Sequence, residues 1–253
     1  MVTKAIGSYF SPAVVASAEK CAARLIDSLP DQANIEKNRV LLAYGGGKDS
    51  SYMVAWVRYV QGLVKEQRGQ TFQLRVTTNS HAGMSHKVME NIDNVYRALE
   101  IYGDDSVECL ITDGQVIRPF SPDLPMPESV KIQNRTDVLM NGHRFQADAR
   151  STFCNACNLS MVNSFGLASH HGAGVDVIIT GDSSKEQTAY FAWARHLSRI
   201  FKAPDVDKNR GFEGFLETLD GVAKGYYEEI YAIIMRLSAC VVRLELHWGF
   251  SSV

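Results

Sequence analysis

Along the first half of the chain, segments with the apolar pattern of a strand take turns with segments whose apolar residues recur at helical spacing. An apolar run at 40–44, an alternating segment at 71–78 and a short apolar segment at 107–112 have the pattern of strands. Between them, residues 52–64 and 85–102 repeat apolar side chains at helical spacing. This order predicts an α/β fold with a doubly wound, mainly parallel sheet flanked by helices.

Helical patterns also precede and follow the alternating region. Residues 13–29 predict a helix, with Ser11 as its cap and Pro12 at its first position. Further predicted elements are helices at 158–171, 185–201 and 215–242, a buried strand at 175–180 and a loop at 119–127. We therefore expect an N-terminal helical segment (1–38), a central α/β domain (39–202) and a C-terminal helical segment (203–253).

Composition is that of an ordinary globular protein. Of the 253 residues, 45% are hydrophobic and 21% are charged, which is enough to bury a normal core. The net charge of −2 lacks the strongly basic balance typical of nucleic-acid binders. No segment approaches the length of a membrane span and the start lacks a signal-peptide pattern, so we expect a cytoplasmic location and no membrane partner.

The segment that follows the first predicted strand has the composition of a phosphate-binding loop. We call it the glycine loop, and it reads Gly45-Gly46-Gly47-Lys48-Asp49-Ser50-Ser51. Consecutive glycines can take positive φ and bring backbone N–H groups close to an anion, and the N-terminus of the following helix adds unpaired donors. The lysine supplies a cation and the two serines supply hydroxyl donors. This segment predicts a nucleoside triphosphate site, with a simple glycine-rich strand-to-helix turn as the alternative.

Two common nucleotide-binding patterns do not fit the glycine loop. The pattern G-x-x-x-x-G-K-[ST] fails because no glycine lies six residues before Lys48 and an aspartate follows it. The pattern G-x-G-x-x-G fails because its third glycine falls on Ser50. The segment instead resembles the S-G-G-x-D-S signature of the PP-loop superfamily of ATP pyrophosphatases, with Gly45 in place of the usual first serine.

This resemblance implies that the glycine loop holds ATP for cleavage between the α- and β-phosphates. The backbone N–H groups of the loop and the hydroxyls of Ser50 and Ser51 are expected to hold the β- and γ-phosphates, which leave as pyrophosphate. Lys48 is expected to neutralise the charge that develops, and Asp49 to bind Mg²⁺. Residues expected to surround the adenine or to complete the nucleotide site are Ala43, Tyr44, Asn79 and Gly181.

Cys154 and Cys157 form a C-x-x-C at the start of a predicted helix, where the helix dipole favours the thiolate. Four roles fit this pair: half of a structural zinc site, a redox dithiol, part of an iron–sulfur site, or two buried thiols. No second C-x-x-C is present in the sequence to complete a zinc site. The five cysteines of the chain are also too few for a disulfide scaffold of this size.

The order of motifs along the chain adds a second resemblance. A glycine loop, a C-x-x-C that opens a helix, and a strand that ends in a glycine motif resemble the sulfur-transferring branch of the PP-loop superfamily, which includes tRNA 2-thiolation enzymes. Gly181 matches the third motif, whereas Asp182 stands in place of the family histidine, and Lys185 and Glu186 replace the paired aspartates. A strand-end turn capped by Asp182 or Ser183 is the alternative for this motif.

The same branch includes enzymes with a four-iron cluster held by three cysteines. The resemblance therefore implies Cys154, Cys157 and Cys240 as a candidate ligand set. Cys240 lies in an apolar segment typical of a helix or a core strand, and a persulfide or disulfide relay on the other two cysteines is the alternative.

These resemblances predict an ATP-dependent sulfur transferase that adenylates a carbonyl oxygen of a nucleobase or small-molecule substrate and replaces it with sulfur. The expected catalytic residues are Lys48, Asp49, Cys154, Cys157 and Asp182. The reaction needs a sulfur donor, tRNA is an alternative substrate, and homodimers are common among such enzymes. A PP-loop amide or C–N ligase with a structural C-x-x-C, and a degenerate ATP-binding sensor, are the alternative functions.

Overall fold

The computed structural model describes most of the first half of the chain and parts of the second. The described residues are 2–80, 84–113, 116–123, 127, 128, 131, 132, 155–181, 185, 188, 189, 192, 195, 196, 198, 199, 205, 207, 218 and 242–245. The backbone alone is described at residues 2, 155–160, 162, 163 and 242–245.

The described residues form helices, strands and one 3₁₀ turn. The helices are α1 (Val2–Ser8), α2 (Pro12–Ser28), α3 (Lys48–Arg68), α4 (His86–Ala98) and α5 (Asn155–His170), with a 3₁₀ turn at Ile35–Lys37. The strands are β1 (Arg39–Ala43), β2 (Gln73–Ser80), β3 (Val107–Asp113), β4 (Val116–Pro119), β5 (Val177–Thr180) and β6 (Val242–Glu245). No helix in the described part of the chain is both long and apolar enough to cross a membrane.

The six strands form one sheet in the order β4-β3-β2-β1-β5-β6. All neighbouring pairs are parallel except β3 and β4, which pair antiparallel at one edge. The predicted α/β fold with a mainly parallel sheet flanked by helices is therefore confirmed. The order runs from β1 through β2 to β3 on one side and places β5 on the other side of β1, so the winding reverses between β1 and β5.

Alternate side chains of β1 face two different layers. Val40 and Leu42 join the main core, which also includes apolar residues of α2, α3 and α4. Leu41 points to the opposite face, where it packs with Ala168 of α5 and Ile178 of β5. Helices therefore cover both faces of the sheet, as the uninterrupted apolar run of β1 requires.

The direction of α5 follows from two contacts with the sheet. Near the beginning of β2, Arg75 donates from Nη1 to the carbonyl oxygens of Ala168 at 2.7 Å and His171 at 2.9 Å. Near the end of β3, the hydroxyls of Thr112 and Ser164 lie 2.5 Å apart. The helix thus runs antiparallel to the strands, and its first turn lies toward the carboxyl edge of the sheet.

The sheet differs from the sequence prediction at two places. The edge strand β4 was not predicted because it has only four residues, is partly exposed and ends at Pro119. The predicted helix at 215–242 is wrong at its last residue, because Val242 begins β6 and pairs with Val177 of β5. This part of the expected C-terminal segment therefore belongs to the sheet.

Candidate functional site

The glycine loop lies at the carboxyl end of β1, where the winding of the sheet reverses. Leu42 of β1 pairs with Val76 of β2 on one side and with Ile179 of β5 on the other. Gly181 follows directly after β5, so it lies at the same edge of the sheet. Open parallel sheets bind ligands in the crevice at this reversal point.

The N-terminus of α3 has no side-chain cap. Its N-cap residue is Gly47, whose backbone is extended and which makes no capping side-chain hydrogen bond. By contrast, the side chain of Ser11 accepts from Val14 N at the start of α2, and that of Ser85 accepts from Lys87 N at the start of α4. The first N–H groups of α3 are thus left without a side-chain acceptor, and such groups bind anions well.

Gly46 needs to be glycine for two independent reasons. Its φ is +74°, in the left-handed region that disfavours side chains. A Cβ at this position would also lie 2.6 Å from Cγ1 of Val88 and 2.9 Å from Cγ1 of Ile92, both on α4. The loop therefore packs directly against the first half of α4.

The serine hydroxyls of the loop point back toward the helix. Ser50 Oγ and Ser51 Oγ donate to the carbonyl oxygen of Gly47 at 3.1 and 2.8 Å. The hydroxyl of Tyr44 lies 2.8 Å from Ser51 Oγ. Either hydroxyl can be the donor in this pair. The contacts between these serines and phosphate remain a prediction.

Lys48 and Asp49 occupy the first turn of α3, and both side chains are exposed. They follow the glycines directly in the chain, and their roles toward phosphate and Mg²⁺ remain predictions. A carboxylate at this end of a helix is also favoured by the helix dipole.

The residues expected near adenine differ in their exposure. Ala43 and Asn79 are half-buried at the ends of β1 and β2. Tyr44 is 1% exposed, its ring centroid lies 5.6 Å from that of Tyr96, and burial raises the pKa of its phenol although the bond to Ser51 opposes this. The Tyr44 ring thus belongs to the core, and Tyr44 reaches the site through its hydroxyl and its backbone.

Gly181 lies in close contact with α3. A Cβ at Gly181 would lie 2.4 Å from Cε of Met53, so the ends of β5 and the start of α3 approach closely here. Asp182, Ser183 and Glu186 lie outside the described residues, and Lys185 is helical.

Of the three candidate ligand cysteines, only the backbone of Cys157 is described. It lies in the first turn of α5, toward the same sheet edge as the glycine loop. Cys154 and Cys240 lie outside the described residues, so the proposed ligand set remains a prediction. Among described side chains, no group of three His, Cys, Asp or Glu residues could hold a metal ion.

The two cysteines whose side chains are described are unsuited to nucleophilic chemistry. Cys21 is buried and Cys109 is half-buried, and burial raises the pKa of each thiol to about 12. Reactive thiols need a lowered pKa, so neither can supply a thiolate at neutral pH.

Two features of this region carry no sequence signal, one on α4 beside the loop and one at the end of β3. Asn91 of α4 donates from Nδ2 to the carbonyl oxygen of Gly46 at 2.6 Å. Asp113, at the end of β3, is 1% exposed and forms an ion pair with Arg118, and burial raises the pKa of its carboxyl against the effect of that pair. No motif marks either residue, because a single polar residue on a helix or strand end carries no recognisable spacing.

Comparison with known protein families found no match, and comparison with curated protein sequences found none either. One solved structure with some likeness is the U34-tRNA thiolase NcsA from Methanococcus maripaludis with its [4Fe-4S] cluster. The two chains are 13% identical with a TM-score of 0.33, over 87% of this chain and 68% of that one. A TM-score of this size does not establish a shared fold, so the functional argument rests on the residues of the site.

Proposed function

We propose that this protein binds ATP at the glycine loop, adenylates a carbonyl oxygen of a nucleobase or small-molecule substrate, and replaces that oxygen with sulfur. The main support for the ATP site is that α3 begins without a side-chain cap. This helix start follows Gly46, which has a positive φ, and lies where the strand order of the sheet reverses. The PP-loop-like motif of the loop and the motif order along the chain support the reaction class.

In the proposed first step, the substrate oxygen bonds to the α-phosphorus of ATP and pyrophosphate leaves. The free N–H groups at the start of α3 and the ammonium of Lys48 hold the departing phosphates and offset their charge. Asp49 would hold Mg²⁺, which would neutralise the charge of phosphate oxygens. One exposed carboxylate fits such an ion, because Mg²⁺ in nucleotide sites takes its other ligands from phosphates and water.

In the proposed second step, a sulfur nucleophile bonds to the adenylated carbon, and AMP leaves with the oxygen. The first turn of α5 supports a role for Cys154 and Cys157, because it lies toward the same sheet edge as the loop. An iron–sulfur cluster on these two cysteines and Cys240 would supply a metal-held sulfide. In the alternative route, the outer sulfur of a persulfide on one cysteine of the C-x-x-C bonds to the carbon, the thiol of the other cysteine breaks the S–S bond to form a Cys154–Cys157 disulfide, and an external thiol reduces that disulfide.

The ATP site is tested by measuring AMP formation and ATP–pyrophosphate exchange with the purified protein. Lys48→Ala and Asp49→Ala are expected to abolish both activities while the protein stays folded, with a change in the thermal unfolding midpoint no larger than loss of one helix-dipole interaction causes. Lys65→Ala is the matched control, since Lys65 is an exposed lysine in the last turn of the same helix. Full activity in both loop variants would show that the phosphates bind elsewhere.

The sulfur step is tested by anaerobic purification followed by absorption spectroscopy and by iron, zinc and sulfide analysis. Cluster loss in Cys154→Ala but not in Cys240→Ala would eliminate the three-cysteine ligand set. Protein without iron, sulfide or reactive thiol that still exchanges pyrophosphate in the presence of an amine would indicate a C–N ligase. Tight ATP binding without AMP formation would indicate a sensor.

A further inference from the structure

The peptide group between Gly46 and Gly47 is the part of the glycine loop that α4 contacts most directly. It is flanked by two glycines, so its rotation meets little steric resistance on either side. In a trans peptide, the carbonyl of Gly46 and the N–H of Gly47 point in opposite directions. Whatever holds the carbonyl therefore also decides where the N–H points.

The side chain of Asn91 holds this carbonyl. Its Nδ2 donates to the oxygen of Gly46 at 2.6 Å, from the side on which Val88 and Ile92 also pack against the loop. The carbonyl thus faces α4, and the N–H of Gly47 faces away from it. Asn91 is itself an exposed residue, so packing does not account for an asparagine at this position.

We propose that Asn91 is a positioning residue for the phosphate site, which it serves by holding the Gly46–Gly47 peptide so that the Gly47 N–H faces the bound phosphates. Asn91 acts through the loop backbone. That the ligand is ATP rests on the proposed function. The orientation of the peptide does not.

Three variants separate this role from simple packing. Asn91→Ala removes the donor. Asn91→Asp keeps the size of the side chain but presents a carboxylate that cannot donate to Gly46 O. Asn91→Gln keeps the amide on a longer stem. Asn94→Ala is the matched control, because Asn94 is an exposed asparagine on the same helix.

The experiment measures the Kd for Mg-ATP by calorimetry and, in ligand-free protein, the hydrogen–deuterium exchange of peptides that cover residues 45–51. The alanine and aspartate variants are expected to raise the Kd about three- to tenfold, the scale of one hydrogen bond, with partial recovery in the glutamine variant. Loop exchange is expected to increase in the same two variants, while Asn94→Ala changes neither quantity.

An unchanged Kd in Asn91→Ala, or an equal change in Asn94→Ala, would overturn the proposal. If the unmodified protein binds no ATP, the proposed function is wrong, but loop exchange still tests whether Asn91 positions the peptide. In that case, loop exchange that increases in Asn91→Ala and Asn91→Asp supports positioning, and unchanged exchange rejects it.

Discussion

Arg75 of β2 lies at the carboxyl-terminal end of α5, where its Nη1 donates to the carbonyl oxygen of Ala168 at 2.7 Å. The same guanidinium donates to His171 O and, from Nε, to Glu108 at 2.6 Å. Arg75 is only 3% exposed, so these partners replace water around its charge. A cation at this position also stabilises the negative end of the helix dipole.

We expect Arg75→Ala to destabilise the protein by about 2–4 kcal/mol, because it removes the donor to the buried carbonyl oxygen of Ala168 and to that of His171. The free energy of unfolding in urea, followed by far-ultraviolet circular dichroism, measures this loss. Glu108→Gln is the comparison variant, because it keeps an oxygen that can accept from Arg75 Nε and removes only the charge of a side chain that is 44% exposed, so we expect a smaller loss. An equal loss of unfolding free energy in both variants would show that the ion pair with Glu108, and not the bonds to the carbonyl oxygens, accounts for the stabilisation.

Gly46→Ala and Gly45→Ala are a matched pair within the glycine loop. Alanine at Gly46 meets a positive φ and two side chains of α4, whereas a Cβ at Gly45 meets no atom within 4 Å. We expect Gly46→Ala to cost about 1–3 kcal/mol of stability and to abolish measurable ATP binding. Gly45→Ala should keep the stability within about 0.5 kcal/mol. Calorimetric unfolding and ATP titration distinguish the two, and equal behaviour would contradict the loop geometry.

The packing of α1 against α3 depends on Gly62. A Cβ there would lie 2.2 Å from Oγ1 and 2.4 Å from Cγ2 of Thr3, a β-branched side chain with little rotational freedom. We expect Gly62→Ala to displace α1 and to accelerate proteolytic cleavage within residues 2–10. Thr3→Ala should partly restore protection in the double variant, because it removes the two closest atoms. Cleavage that is unaffected by Gly62→Ala would show that α1 packs differently.

The buried thiols predict a loss of stability at alkaline pH. The folded pKa of Cys21 is about 12, raised from an ordinary value of 9.0 by burial and lowered slightly by Arg24. Cys109 has the same raised pKa of about 12 for the same main reason. Because a raised pKa favours folding while the thiol stays protonated, this contribution is complete below pH 9 and is lost between about pH 9 and 12.

The thiol prediction is measured by urea unfolding between pH 8 and 11. Alkylation by iodoacetamide at pH 8 gives an independent measurement, in which Cys21 and Cys109 should react only after unfolding. Rapid modification of Cys21 in the folded protein would contradict its burial. In Cys21→Ala, the alkaline decline should become shallower, because one of the two titrating groups is gone.

Hydrophobic periodicity predicted the central elements because their burial is regular. The apolar run at 40–44 and the alternation at 71–78 match β1 and β2 to within two residues. The start of α3 was predicted four residues too late, at residue 52 and not at Lys48. Its first turn carries the polar residues of the glycine loop and Gly47 supplies no capping side chain, so neither usual signal of a helix start is present.

The arrangement of the site depended on contacts that periodicity does not encode. The glycine loop itself was identified from its sequence, and the structure places Lys48 and Asp49 at the start of α3. Asn91 was not identified, since an exposed asparagine on an amphipathic helix has the same pattern as a solvated surface residue. The pairing of β5 with β1 was likewise not deducible from local sequence, because it joins distant segments.

That pairing also bears on the order in which the protein folds. Reciprocal hydrogen bonds join Arg39 to Asp176 at the start of β1 and β5, two residues that are 137 positions apart. The unit from β1 to β3 closes through much shorter connections, and loop-closure entropy favours such local contacts first. We therefore expect the glycine loop and α4 to form early, and the β5 side of the crevice to form later, when β5 pairs with β1. A ligand that contacts both the glycine loop and the end of β5 would therefore stabilise mainly the state in which β5 has docked.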